Sequence, residues 1–363
     1  LADRFEDPQM VVNLVTTALI VLVLVYTVMG GMVSVIVTDY MQFVVLGIGL
    51  IIAVCIAYSQ PGMGWGETVA TLAEHKGEAA FNPLHSGSYG WLYFIWMIFH
   101  VGLIGAVGWA PEASRALTAK NPETSRRTFL LSMPGQFARW CLPALIAIAA
   151  FAYIVRHPQL LAYFFPDGNT AESSKIAGQA LPLFLGKVVP TGILGIVTAG
   201  LLAAFMSTHD SYFLCWSSVI VRDVIRPLRK KEMDDRQQIK WTRICIVLTG
   251  AFLLVWGVWY ELPESVWSYM AITGSVYFCG AGVALVAGVY WKRASSTGAF
   301  VCIIAGLISI IGLDPIMKKI EGLIPGISPA SVSLFNYAVC ITLFVVCSLA
   351  FPDKDKPVVK KED

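Results

Sequence analysis

The sequence predicts an all-α, polytopic membrane protein with about nine transmembrane helices. Three observations predict it. Only 14% of the 363 residues are charged and 56% are hydrophobic, whereas soluble chains carry about a quarter charged residues. Mean hydropathy is +0.68. The charges are also clustered, and the runs between them reach the ~20 apolar residues that cross a ~30 Å hydrocarbon layer. A soluble enzyme, a disordered tail and a nucleic-acid binder are excluded on these grounds. The lipid bilayer is the first partner.

Uncharged runs between turn signals give the spans in order. The first covers residues 10–29 and ends at Gly30-Gly31; the second covers 38–58. The third and fourth cover 91–110 and 129–154, and an unusually long fifth covers 191–221. Four more follow at 244–259, 266–290, 298–313 and 332–351. The segments 61–90 and 157–189 are long and rich in Pro, Gly and Ser, and fit partly irregular lids with short surface helices. The eight cysteines sit singly in apolar runs with no CxxC pair, as small buried hydrophobes do.

Alternation of nine spans sorts the basic residues. One set of loops, with the C-terminal tail, holds eighteen Lys and Arg; the other holds seven, and only Arg139 falls inside a span. Lys and Arg accumulate on cytoplasmic loops, which places the C-terminus in the cytoplasm and Leu1 outside. An external start with neither a basic n-region nor a small-residue cleavage site leads us to expect a C-terminal portion of a longer protein.

Polar residues inside a membrane span are where function is sought. The fifth span carries Ala204, Ser207, Thr208 and Ser211 on one helical face. Such a face offers neutral oxygens to a hard cation, which needs oxygen ligands and an exit. The same hydroxyls can instead bond back to their own helix and mediate packing. The neighbouring His209-Asp210 reads as a proton relay or as a satisfied intramembrane pair. Asp39, just after Gly30-Gly31, reads as an N-cap of the second helix or as a coupling or gate residue. In the third span Gly102, Gly105 and Gly108 permit close backbone approach, or an unwound mid-membrane segment facing a solute. Trp96 and His100, one turn apart, can line a cavity there or simply pack. In the seventh span Tyr269 and Thr273 share a stripe with Tyr277.

These strings, in this order, resemble the sodium:solute symporter family. Gly30-Gly31 with Thr38-Asp39 and Gln42 is similar to that family's GG…TD..Q stretch. The 200–211 string GLLAAFMSTHDS, continuing to Ser217-Ser218 and Arg222-Asp223, matches more closely. Arg115 to Asn121 with Arg126-Arg127 resembles its basic cytoplasmic loop, and Tyr290 to Arg293 with Gly298-Ala299 its exit from a later helix.

The resemblance implies a partial LeuT-like inverted-repeat fold. Residues 1–59 would end the first repeat, 91–290 would form the second, 298–351 would be trailing helices and 352–363 a cytoplasmic tail. It implies sodium-coupled symport of a small organic solute by alternating access, and no enzyme activity. The coupling ion, Na+, would be held by the Ala204 carbonyl and the Ser207 and Thr208 hydroxyls, with Asp39 in coupling. Trp96, His100, Gly102, Gly105, Tyr269 and Thr273 would line the solute path. The 102–108 stretch departs from the Asn and Tyr pattern of the family's sugar carriers. A sensor or packing subunit, or a transport-incompetent fragment, is the alternative.

Overall fold

The computed structural model describes residues 8–85, 90–105, 108–166, 174–229, 232–259, 266–324 and 326–353. Among these every regular element is helical. Seven helices are long and apolar enough to cross a membrane, and a shorter apolar helix runs over Ser296–Gly312. The count differs from nine at two places. The first two spans are two helical legs that meet without a loop at the non-helical Gly31, and together they make α1 (Pro8–Ser59). The eighth is divided between α-helix and a tighter 3₁₀ run, Leu307–Gly312. The N-terminal end and the 354–363 tail, on which the charge-based sidedness leans, lie outside the described residues.

The chain divides into two compact units. The first comprises Leu1–Leu72 and Ser114–Leu262. Here α2 (Trp65–Lys76) follows α1 as one of the short surface helices expected between the second and third spans. The 34-residue α5 (Pro122–Val155) is capped by the Asn121 side chain, which accepts from the Thr124 N–H at 2.8 Å. After α6 (Pro158–Phe164), α7 (Ser174–Ala177) and α8 (Ala180–Val188), α9 (Thr191–Val219) runs along α1 and continues as a wide π-helical turn, Ile220–Ile225. A short α10 (Arg226–Leu228) and α11 (Asp235–Leu253) complete the unit.

Two glycine features position α9. Gly31 has φ 63°, a left-handed backbone that glycine adopts at little cost, so α1 turns there without a polar loop. Farther along, a Cβ on Gly200 would lie 3.0 Å from the Leu46 Cα, and one on Gly49 would lie 3.3 Å from the Val197 Cα. The backbones of α1 and α9 touch at these points, the small-residue contact by which helices associate in lipid. Ile20, Val23, Val35, Phe213, Leu214 and Ile246 pack into one core on one side of the contact, and Ala53, Ala57, Ile146 and Phe184 into another.

The second unit comprises Ala73–Ala113 and Pro263–Asp363. It holds α3 (Gly90–Met97), which widens into a π-helical stretch at Ile98–Gly105, and α12 (Val266–Tyr277), which widens at Phe278–Gly282 before α13 (Val283–Tyr290). These pack with α14 (Ser296–Gly306) and, after a short α15 (Asp314–Glu321), with α16 (Pro329–Ala350). The helix α4 (Ala110–Leu117) carries the chain from this unit back into the first.

Large apolar side chains are exposed along the spans, among them Leu131 and Phe137 on α5, as lipid-facing surfaces require. Five of the eight cysteines are buried, but Cys55 is exposed on α1, contrary to the expectation of uniform burial.

Candidate functional site

The 203–211 string lies in the middle of α9, within the first unit. The Thr208 hydroxyl donates to the Ala204 carbonyl at 2.9 Å, and the Ser211 hydroxyl to the Ser207 carbonyl at 2.8 Å. Back-bonding of this kind engages the hydroxyl hydrogens and leaves oxygen lone pairs for other work. Two oxygens 2.9 Å apart can share one hard cation at the ~2.3–2.6 Å distances such ions take. Thr208 is exposed, whereas Ser207 is half-buried and faces Asp39 on α1. The expected ligand pair therefore differs in exposure within the one stripe that the helical repeat gives residues 204, 207, 208 and 211.

Asp39 sits eight residues past the Gly31 break, inside the second leg of α1, so it caps no helix end. Its partner is Arg115, from the last turn of α4, whose guanidinium donates to Asp39 Oδ2. The same guanidinium nitrogen lies 2.6 Å from the Ser211 hydroxyl. The other carboxylate oxygen, Oδ1, is buried without a well-formed hydrogen bond, although the Ser207 side chain faces that carboxylate.

Asp210 and His209 do not pair. The His209 ring bonds to the Phe205 carbonyl at 2.7 Å and lies against the Phe205 ring, with centroids 4.1 Å apart. Consecutive helical residues point ~100° apart, which separates them. Asp210 is fully buried and accepts from the Tyr26 hydroxyl at 2.7 Å, with Ser211 3.3 Å from its other oxygen. Gln42, on the second leg of α1, lies near Tyr26 and keeps its amide oxygen buried without a hydrogen bond. One polar chain thus runs through Tyr26, Asp210, Ser211, Arg115 and Asp39. It contains two carboxylates and one guanidinium. Sequence reasoning missed Tyr26 and counted Arg115 only as a loop charge. A tyrosine in the middle of an uncharged run was the available signal for the first.

In the second unit Trp96 and His100 are buried. Their rings stack at 4.7 Å, and His100 Nδ1 is hydrogen-bonded to the Tyr337 hydroxyl at 3.1 Å. Gly105 is tightly enclosed, since a Cβ there would lie 2.8 Å from the His100 carbonyl oxygen; Gly102 is exposed. Residues 106 and 107 of this stretch lie outside the described residues. On α12 Thr273 is exposed and donates to the Tyr269 carbonyl at 2.8 Å, and Tyr269 is half-buried. Trp96 and His100 thus belong to a packed aromatic cluster with Phe278, and Gly102 and Thr273 to exposed surface.

The geometry can be set against known proteins. A solved structure of a Na+-coupled sialic acid symporter, substrate-bound and outward-open, superposes with a TM-score of 0.71 over 96% of this chain and 68% of that one, at 21% identity. This likeness shows the fold. Among curated relatives, the sodium/sialic acid symporter SiaT of Proteus mirabilis is 26% identical over 84% of this chain and 60% of its own. Human high affinity choline transporter 1 is 26% identical over 91% of this chain and 55% of its own, and zebrafish (Danio rerio) sodium/glucose cotransporter 4 is 24% identical over 81% and 47%. The chain spans about half to three-fifths of the length of these relatives. The model of one family matches residues 9–306, a stretch that holds both legs of α1, the hydroxyl face of α9 and the Arg115 contact between them. By that match this multi-pass membrane protein belongs to the sodium:solute symporter family.

Proposed function

We propose that this chain carries the ion-coupling part of a secondary active symporter, which imports a small organic solute with sodium by alternating access. The observation that carries the reading is the oxygen face of Ala204, Ser207 and Thr208, with the Thr208 hydroxyl bonded to the Ala204 carbonyl and Ser207 beside Asp39. Neutral oxygens with one nearby carboxylate suit an ion that must bind and leave. Sodium entering there favours the solute-ready state only as far as it prefers that state. A potential of 100 mV adds ~2.3 kcal/mol per charge moved inward.

In this reading residues 1–59 end a first repeat, 91–290 form the second and 298–351 trail it, in the cell membrane with the C-terminus cytoplasmic. Solute contacts fall to Trp96, His100, Gly102, Gly105, Tyr269 and Thr273, with exposed Gly102 and Thr273 nearest the path and the buried aromatics behind them. The relatives named above are described as handling sialic acid, glucose and choline, and those three are the first probes for counterflow. Ser207→Ala with Thr208→Ala should abolish sodium-stimulated uptake of whichever probe exchanges. Unchanged sodium dependence in that double variant would remove the site assignment.

A further inference from the structure

Arg115 is not needed to hold a helix end, and it does not face water alone. Its guanidinium reaches two elements at once: the Asp39 carboxylate on α1 and the Ser211 hydroxyl on α9. Ser211 is one turn from Ser207 and is bonded to its carbonyl. A fixed positive charge therefore stands one helical turn from the proposed sodium ligands, on the Asp39 carboxylate beside Ser207. The Asp39 side chain is 18% exposed and Arg115 42%, so the carboxylate is the anchored partner and the guanidinium the one with room to leave.

Charge accounting sharpens this. Two carboxylates, Asp39 and Asp210, share the cluster with a single guanidinium, and Asp210 is engaged by the neutral Tyr26 hydroxyl. Asp39 keeps one buried oxygen, Oδ1, without a well-formed hydrogen bond. Unpaired buried carboxylate oxygens are costly, and a cation arriving beside Ser207 would satisfy this one. It would then share the carboxylate with a guanidinium of the same sign. Like charges at such range repel strongly where water is scarce.

We infer that Arg115 and the transported sodium ion are alternative counter-ions of Asp39: sodium loading releases Arg115, and Arg115 refills the place when sodium leaves. The inference rests on the sodium reading above and adds its regulation. Arg115 ends α4, the helix that follows the proposed solute-lining α3 in the chain. Its release thus unties the C-terminal end of α4 from α1 and α9 when the ion binds. Arg115 touches neither ion nor solute, so it is a positioning residue.

The test is thermal unfolding of the purified full chain titrated with NaCl, with KCl holding ionic strength constant, beside sodium-stimulated uptake. The wild-type melting temperature should rise with sodium. Arg115→Gln removes the competing charge and should lower the half-saturating sodium concentration about tenfold, while sodium flux becomes less tightly tied to solute. Asp39→Asn should weaken sodium binding and make it indifferent to the residue at 115. Arg115→Lys keeps the charge with poorer reach, and its half-saturation should lie between the wild-type and Arg115→Gln values. If the wild type melts alike in sodium and potassium, the sodium reading itself fails. If the wild type responds but Arg115→Gln binds sodium equally or more weakly, the counter-ion exchange is overturned. A lysine variant weaker than wild type overturns it as well, even if the glutamine variant does not fold.

Discussion

The two units bury polar groups in opposite ways. In the second, the buried network is neutral. Ser333 donates to Ser275 at 2.8 Å, and Asn336 donates to the Gly306 carbonyl at 3.1 Å and to Ser309 at 2.7 Å. Three cysteines, Cys279, Cys302 and Cys340, fill the space between. Glycines bring the backbones into contact there: a Cβ on Gly306 would lie 2.5 Å from the Val276 carbonyl oxygen. In the first unit the network carries formal charge and joins α1, α4 and α9 through long side chains. Hydroxyls and amides between helices act as glue worth a few tenths to ~2 kcal/mol each. Charges within a membrane protein are costly and mark ion or substrate paths. The comparison teaches where to look for function: the neutral network of the second unit fits packing, and the charged one of the first is the place to test a coupling role.

Mutations can break this contrast. The largest effect on folding should come from Gly306→Val, which forces a branched side chain into backbone with no room. Overpacking costs ~1–3 kcal/mol, occasionally more, so the melting temperature should fall steeply and little folded protein should be recovered. Next, Tyr26→Phe removes the one strong donor to Asp210 and should cost ~1–3 kcal/mol. Because it loosens α1 against α9, its sodium half-saturation should shift as well. Asn336→Leu should destabilise by a similar ~1–3 kcal/mol, yet leave the sodium half-saturation of the surviving protein unchanged. Smallest of all, Ser275→Ala with Ser333→Ala deletes both partners of a neutral pair and should cost less than ~1 kcal/mol. A change in sodium affinity in either of these last two variants would erase the distinction between the units.

Much of the fold was legible in the sequence because lipid imposes long apolar runs. The Gly30-Gly31 break and the long fifth span, observed as α9 and its π-helical extension, were visible in composition alone. So was the hydroxyl face, since Ala204 and Thr208 are neighbours by helical repeat. The rest depended on distant partners. Tyr26 and Asp210 are 184 residues apart, and Asp39 and Arg115 are 76 apart, so no local pattern announces either pair. Asp39 read as a cap because it follows two glycines, but the helix restarts directly after Gly31 and leaves Asp39 in its interior. Adjacency suggested a His209-Asp210 pair that helical geometry forbids. The division of 298–313 into α-helix and 3₁₀ run escaped notice because both windings suit the same apolar composition.

Gly31 has a final consequence. Tyr26 lies on one arm of α1 and Asp39 and Gln42 on the other, and a single non-helical residue joins the arms. A tilt of one arm about this residue therefore moves Tyr26 relative to Asp39. An alanine at this elbow would be strained at its positive φ, so the angle between the two arms rests on glycine.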